Sequence, residues 1–176
     1  MNKWNIDTMH SIIGFKVKHL MISNIRGQFN KFDGSVEMED SDFTKASIKF
    51  KAETNSISTN NADRDGHLMS PDFFDVTKFP ILSFMSKKII ENGKDSFVMT
   101  GDLDIHGVIK EVSLDVKLNG AGENMNKESV MSFDASGTIN RKDFGLNWSA
   151  TLDKGEIVVS DNVDLDISVE LVKSNS

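Results

Sequence analysis

Strict alternation of apolar and polar residues recurs along most of this chain, and it limits the fold more than any other feature. Residues 163–171 are the longest example and read Val-Asp-Leu-Asp-Ile-Ser-Val-Glu-Leu. Successive side chains of a β-strand point to opposite faces, so such a segment has one apolar and one polar face. The pattern predicts about nine amphipathic strands. They span 4–10, 12–20, 27–39, 46–52, 81–90, 97–105, 112–118, 131–139 and 163–171.

Residues 60–75 break this alternation. Asn60 or Asn61 can cap a helix, and Asp63 would then lie in its first turn, where the helix dipole favours an acid. The Phe79-Pro80 pair then favours extended backbone leading into the next strand. We predict one short helical excursion in an otherwise all-β chain.

Many amphipathic antiparallel strands favour either a sandwich or a closed barrel. Long strands and the lack of a second helical layer favour the barrel. We therefore predict an all-β fold, an eight-stranded antiparallel lipocalin-like β-barrel with one short helical excursion around residues 60–75. A chain of 176 residues without an evident linker is one domain of ordinary size, so residues 1–176 are predicted to form a single domain.

Eight strands enclose an interior wide enough for a small ligand. The inward faces of the predicted strands carry much of the aromatic content, and methionines add soft, adaptable surface. The predicted tunnel lining consists of Phe15, Phe29, Phe32, Phe50, Phe84, Phe97, Met99, Met131 and Phe133.

Charge and composition exclude several classes of function. The chain has 20 Lys and Arg against 27 Asp and Glu, a net charge of −7, so we expect no nucleic-acid partner, which would need a basic face. No apolar run approaches the roughly 20 residues of a membrane helix, so we expect a soluble protein without an integral membrane segment. The lack of cysteine excludes disulfides, thiol catalysis and zinc–thiolate sites.

The first residues run directly into a strand pattern, without the basic and apolar regions of a signal peptide. We expect a cytoplasmic protein, or a periplasmic or secreted one if the sequence begins at a mature N-terminus. The oligomeric state stays open, a homodimer included.

Polar side chains that could hold a ligand's head group are few. Arg64 offers a fixed fork of donors, and His67 lies one helical turn further along. The alternative for Arg64 is an ion pair with Asp65 or Asp72 that fixes the excursion onto the barrel. Arg141 and Asp143 are interpreted as a structural corner.

Catalytic and metal motifs are missing from the sequence. No nucleophile elbow, phosphate-binding glycine loop or His-Glu-x-x-His helix occurs, so we expect no enzyme activity, no bound metal and no cofactor. One alternative is a metal-dependent or acid/base enzyme that uses His10, His19 and His67 with Arg64 and Asp65. It requires at least two histidines close together in one cleft. Another alternative is a barrel with a filled interior that acts through its outer surface.

Several motifs follow one another along the chain. They are Trp4-Asn5-Ile6-Asp7 with His10-Ser11, Gly27-Gln28-Phe29, Arg64-Asp65-Gly66-His67-Leu68, Ser70-Pro71-Asp72-Phe73-Phe74-Asp75, Gly101-Asp102-Leu103 with His106-Gly107-Val108, and Arg141-Lys142-Asp143-Phe144-Gly145-Leu146. Taken together in this order, they resemble the YceI-like family of lipocalin-like proteins. The resemblance implies an extended eight-stranded barrel that holds a long-chain amphiphile, a polyisoprenoid or a fatty-acid amide, without catalysis.

The function that we expect is binding, sequestration or transport of a long-chain amphiphile, namely a polyisoprenoid, an isoprenoid quinone or a fatty-acid amide. Each buried methylene contributes about 0.8 kcal/mol, whereas association costs roughly 4–15 kcal/mol, so a tail of about ten or more carbons is needed. We expect the head group at the barrel mouth. The residues predicted to contact it are His10, His19, Arg64 and His67.

Overall fold

The computed structural model describes residues 1–150 and 158–175. These residues form eleven strands, one α-helix and four short 3-10 helices. The strands and the helix are β1 (Asn2–Ile6), β2 (Ile12–His19), β3 (Ser23–Phe29), β4 (Phe32–Met38), β5 (Ser47–Glu53), β6 (Ile57–Ser58), α1 (Ala62–Met69), β7 (Ile81–Glu91), β8 (Ser96–Ile105), β9 (Val108–Glu123), β10 (Ser129–Asn140) and β11 (Val159–Lys173).

The strands close into a barrel with eight positions, and every neighbouring pair is antiparallel. Going around the barrel, β4, β5, β7, β8, β9, β10 and β11 follow one another, and β1 pairs with both β4 and β11. β1 and β2 share one edge of β11, where Ile6 lies opposite Leu171 and Ile13 lies opposite Ile167. β3 and β4 together occupy the next position in the barrel, and β5 and β6 together occupy the one after it. The predicted eight-stranded antiparallel barrel is confirmed.

Three of the eight positions are broken strands, and the alternation separated only one of these pairs, β1 and β2. The segment predicted as one strand over residues 4–10 ends at Ile6, because the Asp7 side chain accepts a 2.9 Å hydrogen bond from the Met9 N–H and starts a 3-10 turn. The segment over 27–39 is interrupted after Phe29. There the Lys31 N–H donates to the Ser56 hydroxyl at 3.0 Å instead of to a neighbouring strand. Such local side-chain bonds compete with the sheet ladder.

One end of the barrel, here called the closed end, is filled by aromatic side chains. Phe43 lies on the 3-10 helix Phe43–Lys45 and stacks on Phe133 with ring centroids 4.6 Å apart. Its ring also meets the edge of Phe97 at 5.0 Å. Met131, two residues before Phe133 on the same face of β10, is buried as well. These contacts seal the interior at this end.

The α-helix lies at the opposite end. Its N-cap is Asn61, whose side chain accepts a 2.9 Å hydrogen bond from the Arg64 N–H, and Asp63 occupies the first turn, as predicted. The helix ends at Met69, where the Ser70 N–H donates to the His67 carbonyl oxygen. Within the described part of the chain, no helix has the length and hydropathy needed to cross a bilayer.

Candidate ligand-binding cavity

The middle of the barrel is hollow. A cavity of ≈ 170 Å³, here called the inner chamber, lies between the closed end and the centre. Of the predicted tunnel residues, the structure places Phe15, Phe29, Phe50, Phe84, Met99 and Phe133 on its wall. Inward-facing residues such as Ala135 and Ile167 are only half-buried, because the space in front of them is empty.

Three predicted tunnel residues do not line this chamber. Phe97 and Met131 are part of the packing at the closed end instead. Phe32 packs with its ring 6.2 Å from Phe50. The alternation along their strands turns these three side chains inward. Which inward side chains border empty space depends on the position of Phe43, the residue that fills the closed end.

A second cavity of ≈ 290 Å³, here called the outer chamber, adjoins the first on the side of the helix. Six residues line both chambers and form a waist between them. They are Phe15, Phe29, Leu82, Ile105, Ile139 and Leu165. No carboxylate of the described residues lines either chamber, although the chain has 27 Asp and Glu.

Polar side chains are concentrated in the outer chamber. Its wall includes His19, Thr59, Arg64, His67 and Arg141, whereas the inner chamber is apolar. These polar residues contact the outer chamber almost entirely through their carbon atoms, so the surface of both chambers is apolar. Such a surface suits a hydrocarbon chain, and basic side chains lie in the wall of the outer chamber alone.

Helix α1 presents Arg64, His67 and Leu68 to the outer chamber, since residues three and four apart share a helical face. Thr59 fixes Arg64: the Arg64 Nε donates to the Thr59 hydroxyl and Nη2 donates to the Thr59 carbonyl oxygen, each at 2.7 Å. Asp65 accepts from the Thr59 N–H at 2.8 Å. Among these described residues, Arg64 forms no ion pair with either Asp65 or Asp72, so the ion-pair interpretation is wrong.

His67 joins an aromatic cluster at the chamber wall. Its Nε2 lies 2.9 Å from an Asp72 carboxylate oxygen. Its ring meets the Trp148 ring edge-on, with centroids 4.7 Å apart, and Phe73 at 5.1 Å. The Asp72 contact and the two rings hold the imidazole in one orientation beside the cavity.

Arg141 is a cavity residue that sequence reasoning missed. Only 3% of it is exposed, and it lines the outer chamber. Its Nε donates to the Ser160 carbonyl oxygen at 3.0 Å, and Nη1 donates to the carbonyl oxygens of Leu146 and Trp148 at 2.7 and 2.6 Å. Among the described residues, the remaining nitrogen, Nη2, has no hydrogen-bond partner, and it lies 3.7 Å from an Asp161 carboxylate oxygen.

Burial lowers the pKa of the Arg141 guanidinium, and Asp161 partly offsets this effect. An arginine nevertheless stays protonated in proteins, so Arg141 is a buried cation. Arg141 and Asp143 lie in the 3-10 helix Arg141–Phe144, in agreement with a structural corner, and the acidic neighbour of Arg141 is Asp161. The sequence shows only that Arg141 follows a predicted strand, and this position does not indicate that its side chain is buried.

His10 does not line either chamber, and the structure separates it from the other predicted head-group residues. It lies on the outer surface after β1, because the turn at Asp7 points its side chain into solvent. Its Nδ1 lies 2.8 Å from an Asp7 carboxylate oxygen and 4.0 Å from one of Glu170. The hydrogen bond with Asp7 raises the pKa of His10.

The histidines do not assemble the predicted metal or acid/base site. Within the described residues, the one group of three potential ligands whose atoms lie within 4.8 Å of one another is Asp7, His10 and Glu170, on the surface. His19 and His67 line the same chamber without belonging to such a group.

Comparisons with known proteins agree with this geometry. The model of the YceI-like domain matches residues 4–171. A UPF0312 protein of Staphylococcus epidermidis is 39% identical over 176 residues, which cover 99% of this chain and all of that protein. The crystal structure of a Campylobacter jejuni YceI protein is 30% identical, with a TM-score of 0.78 and 90% of each chain covered.

A more distant solved structure shares the fold. It is a polyisoprenoid binding domain from Saccharophagus degradans implicated in plant cell wall breakdown, with 15% identity and a TM-score of 0.67. The comparison covers 97% of this chain and 98% of that domain.

Proposed function

The chain belongs to the family of YceI-like domains, and on that basis we propose that it binds a long-chain amphiphile with the tail in the inner chamber and the head group in the outer chamber. The family and the hollow barrel support binding of a lipid or isoprenoid. The ligand class is a polyisoprenoid, an isoprenoid quinone or a fatty-acid amide, held for sequestration or transport.

The observation that carries this proposal is a pair of adjoining chambers with apolar surfaces, of which the outer one alone has basic side chains in its wall. The inner chamber is walled by apolar side chains and ends at the Phe43–Phe133 stack. A hydrocarbon tail gains about 0.8 kcal/mol for each methylene that leaves water. Its head group would then meet Arg64, His67 and His19. A compact metabolite could not use both parts.

One protein of similar fold supports the same ligand class. The Saccharophagus degradans domain is a polyisoprenoid binding domain, and it shares the barrel fold with this chain. Fold similarity alone does not determine a ligand. For this reason the proposal depends on the cavity, and the polyisoprenoid is one candidate within the class.

The cavity favours binding over catalysis. The polar groups of the outer chamber hold one another or the backbone, as Arg64 holds Thr59 and His67 contacts Asp72. A general base would need a proton acceptor that faces the substrate, and a nucleophile would need an adjacent base. Among the described residues no carboxylate lines the chambers, and of the two histidines that do, His67 already contacts Asp72, which leaves His19 as the candidate base.

Extraction of the purified protein with organic solvent, followed by mass spectrometry, tests the proposal. We expect an amphiphile with a chain of about ten or more carbons, and we expect the emptied protein to take up added prenols or fatty amides. Empty extracts together with no uptake would overturn the proposal.

A matched pair of variants on β11 ties uptake to the cavity. Leu165→Trp fills the waist, while Asp166→Trp places the same ring on the adjacent, exposed residue. Uptake should fall in the Leu165 variant and stay unchanged in the Asp166 variant. Equal uptake by both variants would place the ligand outside the barrel.

A further inference from the structure

The hairpin between β2 and β3 ends in an exposed apolar turn. Leu20, Met21 and Ile22 connect His19, the last residue of β2, to Ser23, the first residue of β3. Met21 is 56% exposed, Ile22 is 88% exposed, and Leu20 is half-buried. Among the described residues, no other two consecutive large apolar side chains are both exposed. Residues 20–22 are here called the apolar tip.

The backbone of the apolar tip has a conformation that its residue types do not favour. Leu20 and Met21 have φ values of 53° and 56°, and the Ile22 N–H closes the turn by donating to the His19 carbonyl oxygen at 3.1 Å. Turns with positive φ at both central residues usually contain glycine, asparagine or aspartate, because other side chains are strained there. The stability of the fold therefore does not explain leucine and methionine in this turn, whereas contact with an apolar medium does.

The apolar tip lies at the end of the barrel that contains the outer chamber. Along β2, Phe15 lines both chambers, and Val17 and His19 further on line only the outer one. Leu20 follows His19 directly, and Ile25 on β3 also lines the outer chamber. The two strands that form this part of the chamber wall therefore carry the tip.

The segment that contains the apolar tip is basic, although the chain as a whole has a net charge of −7. Residues 8–32 include four Lys and Arg and no Asp or Glu. Lys18 on β2 is exposed. Lys16 and Arg26, which lie opposite each other on β2 and β3, are 3.9 and 3.8 Å from exposed aspartate carboxylates of β11. Exposed ion pairs of this kind are weak, so these cations remain available to an anionic surface.

We propose that the apolar tip inserts into a lipid bilayer with an anionic surface, and that this contact holds the outer chamber against the membrane. The inference rests on the proposed function, to which it adds the membrane as the source or destination of the amphiphile. The side chains of the tip enter the boundary between head groups and acyl chains, while the basic residues of β2 and β3 meet anionic head groups. Three tip residues are too small a surface for a stable protein interface, which buries about 1,200–2,000 Å².

Flotation of the emptied wild-type protein with phospholipid vesicles tests the inference without any ligand for the cavity. We expect binding to vesicles of phosphatidylcholine and phosphatidylglycerol, and binding about 5-fold or more weaker to phosphatidylcholine alone, because each basic residue near an anionic surface adds attraction. No binding, or equal binding to both kinds of vesicle, overturns the inference. Uptake of prenols or fatty amides from solution is measured separately, so the proposed function stands or falls on its own result.

Variants then assign the binding to the apolar tip. Ile22→Asp should weaken vesicle binding about 10-fold or more, because a large apolar side chain no longer leaves water. Met125→Asp is the matched control, since Met125 is fully exposed in the turn between β9 and β10, beyond the closed end. Equal binding by these two variants would contradict the inference.

A third variant separates membrane contact from folding. Asparagine tolerates positive φ better than methionine does, so Met21→Asn should melt at the wild-type temperature or above it. The same variant should bind vesicles more weakly than the wild type. Vesicle binding that rises together with the melting temperature would overturn the inference.

Single fluorescent labels report which end of the barrel meets the membrane, because the chain has no cysteine of its own. Ser23→Cys, next to the tip, and Met125→Cys each take one environment-sensitive fluorophore. Vesicles should shift the emission of the label at position 23 to shorter wavelength and leave the label at position 125 unchanged. An equal shift at both positions, or a shift at neither, would count against the tip as the membrane contact.

Sedimentation of the wild-type protein without vesicles examines a second copy of the chain as the occupant of the tip. We expect Ile22→Asp to leave the sedimentation coefficient unchanged. A wild-type dimer that this substitution dissociates would show that the tip binds another copy of the chain, and it would overturn the inference.

Discussion

The ring of Phe15 on β2 lies directly over the backbone of Gly27, its cross-strand partner on β3. A Cβ atom on residue 27 would occupy the same space as the ring. Phe15 lines both chambers at the waist. The absence of a side chain at position 27 therefore lets the ring lie flat against the barrel wall and keeps the waist open.

Gly27→Val should narrow the waist, because the new side chain pushes Phe15 off the wall and into the cavity. We expect weaker binding of a C18 amphiphile, together with a lower melting temperature from the displaced ring. Gly122→Val on β9 is the control, since the space around Gly122 is open. Calorimetric titration of both variants checks this, and equal affinity in the two would show that Phe15 does not control the waist.

Ala135→Phe should shorten the longest tail that the barrel accepts. Ala135 is a half-buried residue on the wall of the inner chamber, and a benzyl group there would fill space that a tail otherwise occupies. We expect preserved binding of short chains and reduced binding of long ones, measured over a series from C10 to C22. Ala121→Phe, on the exposed end of the neighbouring strand, should bind the whole series as the wild type does.

Alternation in the sequence, together with the family resemblance, was sufficient to predict the antiparallel barrel, and capping chemistry predicted a helix that begins after Asn60 or Asn61. These features depend on local periodicity and capping, which a sequence displays directly. Local turn chemistry was less reliable. The Asn119-Gly120 pair has a turn signature, yet β9 continues through it to Glu123, because residues 120–123 still pair with β10.

The least predictable parts of the cavity are its two ends. Phe43 lies in a segment without periodicity, and its role as a plug depends on its meeting Phe97 and Phe133 from distant strands. Arg141 follows a strand as many surface arginines do, and only the fold brings Leu146, Trp148 and Ser160 around it. Phe43 meets residues far away in sequence, and Arg141 bonds backbone within the loop that follows it and at Ser160; neither set of contacts shows as a local sequence pattern.

The Asp7–His10 pair should make stability depend on pH. The hydrogen bond with Asp7 raises the pKa of His10 above 6.5, and the same bond lowers the pKa of Asp7 below 3.8. The contribution of His10 to the free energy of unfolding is complete below pH 6.5 and is lost as the pH rises through the raised pKa of His10. The Asp7 contribution is present above pH 3.8 and is lost as the pH falls through the lowered pKa.

His10→Gln should therefore lower the melting temperature more at pH 5.5 than at pH 9. The nearby Glu170 carboxylate also faces His10, so Asp7→Asn should reduce the pKa of His10 without abolishing its upward shift. Thermal melts and an NMR titration of His10 measure the two effects. A difference in melting temperature that is the same at both pH values would contradict the pairing.

Phe43→Ala tests the closed end. Phe43 is 6% exposed and stacks on Phe133 at 4.6 Å, so its truncation leaves a void and should reduce the free energy of unfolding by about 3–5 kcal/mol. Asp42→Ala separates this effect from loss of the 3-10 helix. It removes the cap on the Thr44 N–H and keeps the ring, and it should destabilise the protein less. Urea unfolding measures both variants.

The void left by Phe43→Ala would extend the inner chamber, so a longer tail should bind the variant and restore part of the lost stability, because a ligand stabilises the folded state that binds it. Melting the variant with C18 and C22 amphiphiles separates this outcome from simple loss of packing. If the longer chain gives no larger increase in melting temperature than the shorter one, then Phe43 packs the barrel without limiting the length of its ligand.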